Sequence, residues 1–463
     1  MHVAIICHEL TSRFNTSLEF ADRLQASGHR VTYVTHADVG DVVKEHGHGF
    51  VVLSSTPAKS PRLIRPPLLR LIPWIFESRR ARNATAADDE IERAVTSVGP
   101  DIILIDIEMH YAAIAVARLP IPAALYMNFF SIYRLPGIPP LNSQFVPSGR
   151  ATDAAQIRLA WRRNNSQMRI RRLSRKLGRA MVGDLLRPIS YTTYHYADLK
   201  AVAKERGVVL SSRSDRTQWL EPLTFTDLPV LSFTANEMEF PHEPHPNMRY
   251  VGPMIPGARS EPRADQPFQK TWDAFDASMT TAQQSGPVVY CSLGSYVTDA
   301  DLLLRIVNVF RRRPEWRLVV GLGHKAKPED LGQLPKNVLA MDWAPQLDVL
   351  AIADVAITHG GTSSVHECIA NAVPMLVYAL DRDNMDRAGN AARVLRCGAG
   401  LRGDVSTDRS TDIEGHLERL ISDPSFRQRA VETRDVLGRY RSDDTAVKTL
   451  EGELRSGTLN FGG

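Results

Sequence analysis

The 463-residue chain is 43% hydrophobic and 23% charged, an ordinary globular composition and long enough for two or three domains with a core each. Lys and Arg number 56 against 52 Asp and Glu, a net charge of +4, which argues against a dedicated nucleic-acid binder. Cys7, Cys291, Cys368 and Cys397 have no paired spacing. That points away from a disulfide framework or a zinc site and towards a reducing cytoplasm. No signal peptide and no bilayer-spanning apolar run is visible.

The first predicted element is a buried strand over His2–Cys7. A helix over Asn15–Ser27 follows, with Leu18, Ala21 and Leu24 at helical spacing and Gly28 as its stop. Arg30–Thr35 is β-branched and strand-like, Ala86–Val98 helical, Asp101–Ile105 a strand ending at Asp106, and Ala123–Met127 another strand. Arg158–Arg187 holds ten Arg or Lys and one acidic residue among Leu, Ile and Met. It reads as a basic amphipathic helix, either a solvated face or a peripheral membrane contact.

The same grammar restarts with strands at Val288–Cys291, Arg317–Val320, Asp354–Thr358 and Pro374–Tyr378, a helix over Asp299–Arg312, and a strand ending near Met341. Strands alternating with helices predict an α/β chain of two doubly wound Rossmann-like domains facing across a cleft. The expected boundaries are residues 1–252, a Pro/Gly/Ser-rich linker at 253–286, a second domain at 287–435 and a C-terminal helical segment at 436–463.

In the second half a strand ending at Thr358 runs into His359-Gly360-Gly361-Thr362-Ser363-Ser364 and a helix carrying Glu367. A small-residue turn opening a helix presents free N–H groups, the helix dipole and hydroxyls to one spot, the physics of a diphosphate site. Two other motifs are set aside. Asp381-Arg382-Asp383 imitates a metal-holding Asp-x-Asp but has no second acidic cluster, so no metal is expected. Gly321-Leu322-Gly323 with Ala326 and Asp342 imitates a dinucleotide fingerprint, but Pro328 and Gly332 break the helix it requires.

Trp343, Gln346, His359, Ser363, Ser364, Glu367, Pro374 and Asp383-Asn384, with Phe233-Thr234, Glu237 through Pro241 and Val251-Gly252-Pro253, fall in the order and near the spacing of one signature. In these residues, and over nearly its whole length, the chain resembles family 1 nucleotide-sugar-dependent glycosyltransferases of the bacterial natural-product type. The resemblance implies the two-domain B-type glycosyltransferase fold, with acceptor bound by the first domain and donor by the second. It implies an inverting transfer of a hexose from a UDP-sugar or dTDP-sugar to a small-molecule hydroxyl, with no metal and no cofactor beyond the nucleotide-sugar co-substrate. Trp343 would stack on the base and Gln346 read its edge, leaning towards uridine. His359, Gly361, Ser363 and Ser364 would hold the diphosphate, with Ser292, Gly294 and Ser295 approaching from the other side. Glu367 would take the ribose, and Asp383 with Asn384 the sugar hydroxyls. The sugar-reading loop is about three residues longer than the family pattern, so Asp386-Arg387 is an alternative to that pair.

The position expected to carry the family's catalytic His is Arg13, while its Asp partner is retained as Asp106. Arginine cannot take a proton at ordinary pH. Three readings follow: a base moved to His8, Glu9, Asp106, Glu108 or His110; an acidic or anionic acceptor bound by Arg13; or a silent nucleotide-sugar-binding auxiliary protein. Arg13 paired with Asp106 is the structural alternative, and a nucleotide-sugar epimerase a further function. Acceptor contacts are expected between Arg62 and Arg187, including Phe76, His110, Phe129 and Tyr133. The last helix, about Val447–Leu454, is expected to pack back on the first domain.

Overall fold

The computed structural model describes residues 1–7, 11–54, 89–181, 196–218, 223–257, 268–280, 286–294, 299–323, 326–380 and 386–456. The first half forms a parallel sheet from β1 (His2–Ile6), β2 (Arg30–Thr35), β3 (Gly49–Val52), β4 (Ile102–Asp106), β5 (Ala123–Met127), β8 (Val230–Ser232) and β9 (Met248–Tyr250), in the order β3-β2-β1-β4-β5-β8-β9. A two-stranded antiparallel ribbon, β6 (Ser214–Asp215) with β7 (Thr224–Phe225), stands apart from it. β1, β4 and β5 are buried at every residue, as strands covered on both faces must be. The helices that matter below are α1 (Thr11–Ala26), α2 (Gly40–Glu45), α3 (His110–Val116) and α4 (Asp153–Met181).

The second half repeats the plan with β10 (Val288–Ser292), β11 (Arg317–Gly321), β12 (Val338–Met341), β13 (Val355–Thr358), β14 (Met375–Val377) and β15 (Gly400–Arg402), in the order β12-β11-β10-β13-β14-β15. Its helices include α5 (Ala300–Arg312), α6 (Thr362–Ala370), α7 (Arg387–Cys397), α8 (Pro424–Ser442) and α9 (Thr445–Ser456). The Asp299 side chain caps α5 by accepting from Leu302 N at 2.9 Å.

Several expectations shift in detail. The first helix starts at Thr11, which moves Arg13 from a loop into the first helical turn. The 253–286 stretch expected as a plain linker contains a helix, Phe268–Ala277. The basic stretch forms a single long helix as far as Met181. It buries Ile157, Trp161 and Met168 while leaving Leu159, Ile170 and Leu173 exposed. No described helix is long and apolar enough to cross a membrane. α9 does return to the first domain: Ala446, Val447 and Leu450 share a core with Phe14, Leu18 and Leu24.

The two halves meet through a buried ion pair. Glu239, in the first half, faces Arg393 of α7 at 2.6 Å, both side chains 0% exposed. The carboxylate also accepts from Ser131 N (3.1 Å) and Phe240 N (2.9 Å), and the guanidinium donates to Gly389 O (3.0 Å). Arg393 also lies over the rings of Phe130 (4.7 Å) and Phe240 (5.1 Å). Truncating one member strands a buried charge. Arg393→Met is therefore expected to cost roughly 3–5 kcal/mol in denaturant unfolding, and adding Glu239→Gln to recover much of it.

His366 of α6 packs edge-on against Phe130 in the same seam, ring centroids 5.9 Å apart. Burial pulls its pKa down to about 3. Unfolded, the ring takes up a proton near pH 6.5; folded, it does not. Its contribution is therefore intact above about pH 6.5 and is lost as pH falls towards 3, at up to about 1.4 kcal/mol per pH unit. A His366→Leu variant should show a correspondingly flatter loss of stability over that range.

Candidate active site

The carboxyl ends of β10 and β13 build the donor side. β13 ends at Thr358, and α6 begins at Thr362 with Gly361 as N-cap and no side chain capping it. The first N–H groups of α6 are thus left for a ligand. Beside them the His359 ring is held between two glycines. A Cβ added at Gly294 would lie 3.1 Å from the ring, and one at Gly361 2.7 Å from it. Gly294 also has φ +95°, a conformation costly for any other residue. Burial, then the charge of Arg387, pulls the His359 pKa down to about 3. The imidazole is therefore neutral and presents an N–H rather than a charge.

The phosphate turn is braced from behind. Asp386 accepts from Thr362 Oγ1 at 2.6 Å and from Asn390 Nδ2 at 2.8 Å, and Asn390 also donates to Gly360 O at 2.8 Å. Arg387 donates to Leu380 O at 2.6 Å. Both members of the Asp386-Arg387 alternative are thus engaged inside the protein, and Asp386 acts as the strut of the turn. Asp383, Asn384 and Ser295 lie outside the described residues.

Gln346 and Glu367 are both buried and bonded to each other, Gln346 Nε2 donating to Glu367 Oε2. Tyr290 Oη donates to Gln346 Oε1 at 3.2 Å. Trp343 is half-buried three residues before Gln346.

On the opposite side, β4 ends at Asp106. Arg13 donates to Asp106 Oδ1 at 3.3 Å and pairs with Glu108 Oε1. Burial alone would lower the Arg13 pKa, but Glu108 and Asp106 outweigh it and hold the guanidinium firmly charged. Arg13 also lies 5.1 Å above the Phe129 ring. Asp106 Oδ1 accepts from Glu108 N at 3.0 Å, a turn that aims the Glu108 side chain. Glu108 Oε2 is buried and accepts no hydrogen bond among the described residues.

His110 is spent structurally. Its Nδ1 faces Glu108 O at 3.1 Å and its Nε2 faces Leu223 O at 2.7 Å, and burial lowers its pKa. Neither nitrogen is placed to remove a proton. Tyr133 is buried and stacks on His245 at 3.8 Å. Its ring thus belongs to the wall of the first domain. His8, Glu9 and Phe76 lie outside the described residues.

One residue escaped the sequence reading: Asn128, just past β5, donates to Ser363 Oγ at 2.9 Å. It ties the phosphate turn to the strand neighbouring β4. Only its place directly after a buried strand could have flagged it.

The profile of the UDP-glucoronosyl and UDP-glucosyl transferase family matches residues 215–438, the span that includes the whole donor side. The chain is 26% identical to the oleandomycin glycosyltransferase of Streptomyces antibioticus, over 98% of this chain and 91% of that protein. It is 31% identical to the demethyllactenocin mycarosyltransferase of Streptomyces fradiae, over 44% of this chain and 41% of that protein. Among solved structures it matches a glycosyltransferase of kitacinnamycin with TM-score 0.63 and 22% identity, covering 98% of both chains. It also matches the glycosyltransferase VinC in complex with DTDP, with TM-score 0.60 and 18% identity, covering 99% of both chains.

The glycine cradle gives a direct check. Gly294→Ala adds about 1–2 kcal/mol of left-handed strain and crowds His359. Its dissociation constant for UDP or dTDP, measured by calorimetry, should rise about tenfold.

Proposed function

The chain belongs to the family 1 glycosyltransferases of the bacterial natural-product type, built on two Rossmann-like domains, and from that premise we propose the reaction it performs and the residues that perform it. It moves a hexose from a UDP-sugar or dTDP-sugar to a hydroxyl of a small, natural-product-like acceptor, with inversion and without a metal. Glu108 is the proton acceptor. The observation that carries this is the bond from Asn128 to Ser363. It brings the phosphate turn beside the strand pair whose other member ends in Asp106 and Glu108, so donor and base meet across one cleft.

The donor diphosphate sits on the open N-terminus of α6, taking hydrogen bonds from its N–H groups, from Ser363 and Ser364, and from the neutral His359 ring. The acceptor oxygen attacks the anomeric carbon from the face opposite the diphosphate. The carbon–oxygen bond to the diphosphate breaks, and its electron pair leaves with the nucleoside diphosphate. The charge that develops there meets donors already in place. The acceptor proton passes to Glu108 Oε2, the carboxylate oxygen that has no other bond among the described residues.

Arg13 holds this base rather than replacing it. Its guanidinium pairs with both carboxylates and so fixes the direction of Glu108. The same pairing favours a neutral acceptor hydroxyl over an anionic acceptor, since the guanidinium is already taken. The relatives reported are named transferases, and no observation favours an epimerase or a silent auxiliary protein.

Glu108→Gln is the test, read against UDP-glucose and dTDP-glucose with a panel of hydroxylated polyketide acceptors. Turnover should fall by about 10²–10⁴, while the dissociation constant for the nucleoside diphosphate stays put and the glycoside formed by wild type has the inverted anomeric configuration. Wild-type turnover in Glu108→Gln would sink the base assignment. Failure of the wild-type protein to bind either diphosphate would sink the donor site.

A further inference from the structure

We propose that Asp22, His46 and His48 form a binding site for a divalent transition metal of zinc-like preference, away from the transfer cleft. Their ligand atoms lie within 4.8 Å of one another. The Asp22 carboxylate sits between the two rings, Oδ2 at 2.9 Å from His46 Nδ1 and Oδ1 at 2.8 Å from His48 Nε2. Two imidazoles and one carboxylate are a donor set that suits zinc, with a fourth position left to water. The ring nitrogens and carboxylate oxygens that hydrogen-bond one another in the free protein can converge on an ion instead.

The three residues are held in place by the fold. Asp22 projects from the penultimate turn of α1, and His46 and His48 flank the tight turn between α2 and β3. Gly47 between them has φ +77°. The reversal brings the two rings nearly parallel, centroids 6.3 Å apart and planes at 24°. The His48 side chain is 1% exposed and packs near Tyr33, centroids 6.1 Å apart, so its direction is set by the core. Its second nitrogen, Nδ1, is buried with no hydrogen-bond partner among the described residues. The side chains of Asp22 and His46 are 37% and 34% exposed, which leaves a way in and room for the water. Arg23, the neighbouring cation, is turned away to Glu19 at 2.8 Å.

Asp22 is nine residues beyond Arg13, roughly 14 Å along the axis of α1 at 1.5 Å per residue. The site therefore lies at the amino ends of the strands, opposite the phosphate turn. An ion there takes no part in the transfer. It fastens α1 to the turn that starts β3, and so fixes the helix whose first turn carries Arg13.

The experiment uses the full chain, free of any purification tag and treated with chelator. Co²⁺ should bind with one ion per chain and give visible ligand-field bands of low-symmetry, four-coordinate type, which Zn²⁺ bleaches. The melting temperature should climb with zinc concentration. His46→Ala and Asp22→Asn, both at partly exposed positions that leave the core intact, should weaken zinc binding at least about a hundredfold with UDP and dTDP affinity unchanged. The proposal is overturned if the wild-type chain takes up no stoichiometric zinc at tens of micromolar. It is equally overturned if either variant binds zinc as tightly as wild type.

Discussion

The geometry of the cleft depends on the contact between Glu239 and Arg393. Two ions taken wholly out of water lose several kcal/mol of hydration each, and recover it only if geometry and additional hydrogen bonds are good. Here they are good: two backbone N–H groups serve the carboxylate, a helix carbonyl serves the guanidinium, and two phenyl rings flank it. A hydrophobic pair of equal volume could hold the surfaces together but would tolerate sliding. A charge pair with fixed partners does not. Because its members come from different halves of the chain, Glu239 beyond β8 and Arg393 on α7, their alignment sets how β4 and β5 stand relative to the turn at His359. The bond from Asn128 to Ser363 lies inside that frame.

The second organising fact is the charge balance around Arg13. A cation in the first turn of a helix opposes the helix dipole, so this position is unfavourable unless something offsets it. Asp106 and Glu108 do so, and they leave a net negative cluster at the strand end. A histidine here would itself shuttle a proton. An arginine cannot, and in the proposed mechanism that part falls to Glu108, the carboxylate with which the arginine pairs.

Much of this was legible before any coordinates. The strands β1, β4, β5, β10, β11 and β13 announce themselves through short, largely apolar runs between turn residues, and the His-Gly-Gly turn through its small side chains. The three-residue strands β8, β9 and β15 were not read, whereas β14, equally short, was, because it sits inside the longer apolar run Pro374–Tyr378. The partners of the buried ion pair are separated by 154 residues, and nothing local in either segment points to the other. Asp386 looked like a sugar reader because the resemblance placed it near one. Its bonds to Thr362 and Asn390, which tie it to the turn, could not be read from the sequence. Arg13 shows a further limit, because the motif marked the position as unusual but could not say which carboxylate the guanidinium would aim.

The return of α9 to the first domain has a mechanical meaning. The polypeptide crosses from one lobe to the other in the stretch after β9 and crosses back at the α8–α9 junction, where Asp444 has φ +50°. Two covalent spans side by side permit rotation about the line joining them and resist twisting or translation. For an opening of the lobes to admit donor or release product, rotation about that line is the least constrained motion, like a door hung on two pins.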